Sequence, residues 1–469
     1  MSLFAGLLFA LTSGHAIALI NDSRSHGVVG DDKLSLNEAI RLHNGTLTLA
    51  ELSAAELSRL LGGSDLSWAE LDASLTPRIT VERDLDVIAD SGHGFGFGGT
   101  SEVEIALGTT RGVHVASNFF DLRTVTLSGG VVGVRLVQTN AFYGSSFQNV
   151  RCRGQRAVAF ELVGTQAAGR TSLHFVSCTI ERVPIGIAFT ETADLRNGGI
   201  EVLGCVFRDV AQGIVVERGS GGSFDLRIEL SSLSAAKNAL VSGPLGSAGT
   251  LTVLHSRIVG SVDVAAGSDD LVFRDSELSG GSLRVGTQGA LIALERCVLQ
   301  GLGISGRDSG LWAFEECRFI AGSIDYPQAV TMLGARCHLS STRVPASIVW
   351  SEMRPSAQLA TCKVMPQEAP LGTRLELRAD VPTGFTGLWI VGVASEVPSL
   401  IGNVAVYTEA SSASRLGFLE RGPTQRFLAI PVDSGLHDLA LCFHLLVAPD
   451  PQSAGLPLTT PPGCRVVLR

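Results

Sequence analysis

Seven charged residues gather where this chain has its longest polar turns: Arg170, Glu191, Asp194, Arg196, Glu217, Arg218 and Asp225. They lie in the segments 164–172, 190–199 and 217–225. Arginines in such a set can pair two-pronged with the carboxylates of an acidic polymer, and the acids can hold a cation. The same residues also read as ordinary solvated loop charge. Nine cysteines are present, with no Cys-x-x-Cys, and their spacing is not that of a zinc site. Cys442 and Cys464 both fall in predicted strands and could bridge in an oxidising compartment. Nine being odd, at least one thiol stays unpaired within the monomer. The histidines are scattered, none beside a recognisable nucleophile motif, so no catalytic, cofactor-binding or metal-ligating residue is assigned.

What positions these turns is a repeat. Cys297, Cys317 and Cys337 recur every twenty residues, each with an apolar residue five before it and another two after. A column of small residues extends the pattern: Ser145, Cys178, Cys205, Ser231, Ser256, Ser276, the three cysteines and Cys362. The apolar position two after runs from Phe147 to Val364. Rungs tightening to twenty residues suit three short strands and three turns, whereas α-solenoid repeats need more than thirty. The expected fold is all-β: a right-handed parallel β-helix with an N-terminal helical cap and a C-terminal β-sandwich. Charges before the column alternate in sign at Asp275, Arg296, Glu316 and Arg336; Glu201 with Arg227 and Arg135 with Glu161 are expected to stack likewise. Such ladders fix register and contribute about 0.2–1 kcal/mol per pair, which reads them as structure rather than catalysis.

Composition bounds the partners. Charged residues make up 17% against 45% hydrophobic, with 54 glycines, which suits short strands and tight turns. A net charge of −9 argues against a nucleic-acid binder, because phosphate binding needs a basic surface. Leu3 to Leu11 with Ala16-Ile17-Ala18 has the form of a signal peptide, so residues 1–18 read as an export signal. A buried first strand is the other reading. No other apolar run reaches the roughly 18 residues a membrane helix needs. Ser35 with Glu38 and Ser53 with Glu56 are capping boxes, and Leu52, Leu57, Leu60, Leu61, Trp68 and Leu71 space as a second amphipathic helix over residues 53–74. Residues 19–75 thus form the cap, 76–365 the β-helix and 366–469 the sandwich.

The run Asp31-Asp32-Lys33-Leu34-Ser35-Leu36-Asn37-Glu38-Ala39-Ile40 resembles the Cys-Ser-Leu-Arg-Glu-Ala-Ile segment at the start of exported bacterial β-helix proteins of pectate-lyase-like class, differing at Leu34 and Asn37. That resemblance implies a first strand near Ala18–Asn21 and a capping helix. The stretch from Ile430 to Thr459 with its final strand is similar to a C-terminal module of exported planctomycete proteins. Gly92-His93-Gly94 resembles a polygalacturonase motif, without the paired aspartates and Arg-Ile-Lys those enzymes carry. Pectate lyases hold calcium on several acids; Asp269-Asp270 is an acidic doublet of the repeat and fits a turn equally well. The expected role is an exported, non-catalytic scaffold binding a polysaccharide or another surface protein. The alternative is a lyase, hydrolase or epimerase on acidic polysaccharides, with calcium if a lyase.

Overall fold

The computed structural model describes residues 15–449 and 464–469, apart from 64, 89–93, 118, 139–141, 165–169, 191–192, 194–197, 218–223, 243–248, 265–269, 287–290, 307–310, 326–330, 336, 341–348, 352–360, 382–384, 402–403 and 410–411. Strands from His15–Ile20 to Val349–Ser351 join into one sheet that coils as a parallel β-solenoid. On its first face, successive rungs stack Phe142–Gln148, Arg170–Val176, Gly198–Leu203, Phe224–Glu229, Thr250–Leu254, Asp270–Arg274, Leu291–Glu295 and Leu311–Glu315. The twofold alternation of a strand sends every second side chain inward. Leu122, Phe147, Phe175, Val202, Ile228, Val253, Phe273, Leu294 and Phe314 therefore form one vertical apolar column, all buried.

The small column lies at the bend between the first and second faces. The residue before it adopts left-handed backbone, with φ of 50° at Leu230, 48° at His255, 51° at Asp275 and Arg296, and 54° at Glu316. That conformation disfavours residues with a Cβ by about 1–2 kcal/mol, and the sharp turn takes buried amides off the strand ladder. Column side chains satisfy them. The Cys205 amide donates to Ser231 Oγ at 3.0 Å, the Ser231 amide to Ser256 Oγ at 3.1 Å and the Ser256 amide to Ser276 Oγ at 3.1 Å. The thiols donate onward, Cys205 Sγ to the Phe175 carbonyl at 3.3 Å and Cys317 Sγ to that of Leu294 at 3.1 Å. Small size is thus half of the requirement, and hydrogen bonding is the other half. Burial raises the thiols of Cys152, Cys205 and Cys317 well above the ordinary cysteine range, so they are unreactive.

Both ends of the expected column shift. Ser145 pairs with Leu173, while Phe147 pairs with Phe175. The bend position below Cys178 is Val150, since Arg151 pairs with Thr179. Cys362 leaves the solenoid altogether: Thr361–Met365 runs antiparallel to Arg374–Val381. The second predicted helix is confined to Ala54–Leu57, and Trp68 and Leu71 lie in the strand Asp65–Leu71. That strand pairs in parallel with His15–Ile20 and, through Trp68 to Glu70, with Gly96 to Gly98. Ala16-Ile17-Ala18 is buried in the first of these strands, so a cut after Ala18 would remove most of it.

The helix Leu36–His43 forms as its capping box requires, with the Glu38 amide 3.2 Å from Ser35 Oγ and the Ser35 amide 2.7 Å from Glu38 Oε2. It lays Leu36, Ala39 and Ile40 on the first rungs. At the other end, antiparallel sheets built on Arg374–Val381 and on Phe385–Ile401 with Ala440–Pro449 enclose a separate core of Leu375, Leu377, Trp389, Phe443, Leu445 and Val466. Among the described residues no helix is long and apolar enough to cross a membrane.

Candidate functional site

The outward positions of the first face form a strip unlike the rest of the solenoid. In Arg170–Val176, Thr171, Leu173 and Phe175 point inward, which turns Ser172 and His174 out on the same side. The rung below places Gly144 beside Ser172 and Ser146 beside His174. The rung above places Gly199 beside Ser172 and Glu201 beside His174. Ser172 Oγ lies 2.9 Å from His174 Nε2, and Glu201 Oε2 lies 2.9 Å from His174 Nδ1. A carboxylate only accepts, so Nδ1 carries a proton, and in the neutral imidazole Nε2 then accepts from the Ser172 hydroxyl. His174 and Glu201 side chains are 43% and 50% exposed, so the chain of bonds opens to solvent.

Further along the strip, two aromatic rings pack against glycines. A Cβ at Gly144 would meet the Phe119 ring at 3.2 Å, and one at Gly96 would meet Trp68 at 2.6 Å. Each glycine is therefore what lets a ring rest on the sheet rather than stand off it. Phe119 is 43% exposed. The Arg123 guanidinium stands 5.3 Å from the Trp68 ring centre, and it pairs with Asp121 at 3.0 Å. The Trp68 indole N–H donates to Glu70 at 2.8 Å; burial raises the Glu70 carboxyl above its usual range, and that bond offsets part of the effect. Around Gly199 a Cβ would meet nothing within 4 Å, which leaves open space beside Ser172.

Of the residues singled out from the sequence, Glu217 and Asp225 are exposed at strand ends, and Asp225 accepts from Thr250 Oγ1 at 2.6 Å. Arg170 opens the strand that carries Ser172, with its side chain outside the described residues, as are Glu191, Asp194, Arg196, Arg218, His93, Asp269 and Arg336. The segments 165–169 and 191–197 lead directly into the strands bearing Ser172 and Glu201. Elsewhere the charges form ladders. Arg296 chelates Asp275 at 2.6 and 2.8 Å, and Arg135 meets Glu161 at 3.2 Å. Glu201 and Arg227 share a register position, yet Glu201 is hydrogen-bonded to His174 and Arg227 pairs with Glu229 at 2.6 Å. On the second face, Glu104 is held below its usual range chiefly by the Ser128 hydroxyl, and also by Arg153 at 3.0 Å.

The C-terminal cysteines need a correction. Phe443 stands opposite Cys464 and Arg465 opposite Cys442, so strand alternation puts the two thiols on opposite faces of their sheet, where they cannot bridge. Cys442 Sγ instead lies 3.3 Å from His444 Nε2. Cys464 faces Cys362 at 4.0 Å between sulfurs, a hydrogen bond that lowers the Cys464 thiol and raises that of Cys362. Treatment with oxidised glutathione is expected to join Cys362 to Cys464, seen as that linked peptide by mass spectrometry without reduction; a Cys442–Cys464 peptide would contradict the geometry.

An open depression of about 820 Å³ on the C-terminal part is lined by Lys363, Arg374, Glu376 and Phe427, among others. Among the described residues Glu376 is the one carboxylate there, and it is engaged by Arg378 and Gln425, which leaves no pair for acid–base work. Among the described residues no three His, Cys, Asp or Glu side chains converge as a metal site. The first-face strip thus brings together aromatic rings, charge and a serine hydrogen-bonded to a histidine. Comparison with protein-family models and with curated proteins returns no match to this chain.

Proposed function

We propose that this protein is an exported scaffold that binds a polysaccharide along the outer first face of its solenoid. The observation that carries this reading is the pair of aromatic rings, Trp68 and Phe119, packed against Gly96 and Gly144 with Asp121 and Arg123 beside them. Aromatic rings flanked by charge suit the apolar faces and hydroxyls of sugars. Arg123 suits a uronate carboxylate. The coil fits the right-handed, pectate-lyase-like class implied by the Leu34–Ile40 segment, with the helix Leu36–His43 as its N-terminal cap and a sandwich module at the C-terminus. Its rigidity suits a long polymer, because a stacked solenoid presents equivalent positions at about 4.8 Å intervals.

Affinity electrophoresis against polyuronates and neutral glycans, with and without calcium, tests the reading. Trp68→Ala combined with Phe119→Ala is expected to weaken binding at least about tenfold, about 1.4 kcal/mol. Binding that the double variant leaves intact would sink it. Unsaturated products in the same mixtures, lost in Arg196→Ala or Arg218→Ala, would replace binding by lyase chemistry.

A further inference from the structure

We propose that Ser172, His174 and Glu201 form a nucleophilic triad that hydrolyses esters, its substrate being O-acyl groups carried by a polysaccharide lying on this face. The triad stands on its own geometry; the polymer as carrier rests on the binding reading above. The contacts run in the order such chemistry needs, hydroxyl to Nε2 and carboxylate to Nδ1, both at 2.9 Å. Three features add to the distances. The three side chains come from adjacent positions on a rigid sheet rather than from loops, so their spacing is set by register. The Phe119 ring over Gly144 supplies an apolar wall one rung below Ser172. Gly199 leaves the opposite side open for an acyl group.

In the forward step Ser172 Oγ attacks the ester carbonyl carbon while its proton passes to His174 Nε2. The bond to the sugar oxygen breaks, and that oxygen leaves with the proton, which gives acyl-Ser172 and a free hydroxyl. Water then attacks the acyl carbon and gives a proton to Nε2. The carboxylic acid departs, and the proton returns to Ser172. The sum is ester plus water to acid plus alcohol. Glu201 is a positioning residue: it holds the Nδ1 proton and thereby keeps Nε2 free to accept. Because the site is shallow and solvent-facing, it suits short acyl chains such as acetyl rather than long ones.

The test uses the full-length protein, with p-nitrophenyl acetate turnover and covalent labelling by a fluorophosphonate as readouts. Ser172→Ala is expected to abolish labelling and to cut turnover at least tenfold. Its side chain points outward, so the fold is preserved, and a matched melting curve checks this. Glu201→Gln is expected to lower kcat with little change in KM and to move the acid limb of the pH profile, with partial rescue by Glu201→Asp. Labelling that persists in Ser172→Ala, or wild-type turnover no higher than that of the variant, overturns the triad. Acetate release from an O-acetylated polyuronate, lost in Ser172→Ala while polymer binding persists, supports the full proposal. Labelling without acetate release overturns the choice of substrate. Polymer binding without labelling overturns the triad and leaves the binding reading intact.

Discussion

Phe175→Ala is expected to destabilise the solenoid by about 3–5 kcal/mol, the range for truncating a fully buried phenylalanine. The ring is 1% exposed. It stacks on Phe147 at 5.0 Å between centroids and 14° between planes, and meets Phe160 edge-on at 5.1 Å. Removing it opens a cavity against two rings fixed by their own rungs, which cannot collapse into the space. In a solenoid each rung contacts only its neighbours, so the loss falls on the rungs around residues 142–203, next to Ser172 and Glu201. Phe175→Leu should recover most of the stability, because it keeps much of the volume. Urea unfolding followed by circular dichroism checks both variants. A shift below about 1 kcal/mol for the alanine variant would contradict the packing described.

Acid should loosen the C-terminal sheets through one residue. His444 is 1% exposed, and burial holds its imidazole down to about 4, against 6.5 when free. Above pH 6.5 both folded and unfolded chains keep it neutral, and its contribution is constant. As pH falls from 6.5 towards 4, the unfolded chain takes up a proton that the folded chain refuses, so stability is lost. At about 1.4 kcal/mol per pH unit the loss approaches about 3 kcal/mol, and it stops growing below pH 4. His444→Leu, which keeps the site apolar, is expected to remove this part of the slope between pH 7 and pH 4.5. The difference between the two unfolding curves isolates the residue from the carboxylates, which both proteins share. Parallel slopes in wild type and variant would show that His444 is not buried neutral.

The solenoid was legible in the chain because its inner columns repeat chemically. Cys297, Cys317 and the residues two beyond them fall where a twenty-residue rung puts them. The ends of the column were misplaced for a physical reason. Ser145 followed by Phe147 matches the pattern by residue type better than the true bend residue, Val150, does, and only strand pairing reveals the bend. Trp68 and Leu71 satisfy a helical spacing too, but two neighbouring strands offer that segment a ladder on either side. The triad was hidden differently. Ser172-x-His174 is a mere alternation within a strand, and Glu201 lies 27 residues beyond His174, the step that also separates Cys178 from Cys205. The rung length carried the information, yet Glu201 was spent on Arg227, its other vertical neighbour.

By itself the sequence determined the coil, because inward residues must suit a shared dry interior and so repeat with the rung. It also determined the capping box at Ser35 and Glu38, which is local in the chain. Only the tertiary structure decided which outward residues meet. Solvent places no demand on their type, so Trp68, Phe119, Ser172, His174 and Glu201 leave no periodic trace, and the register of separate rungs alone brings them together.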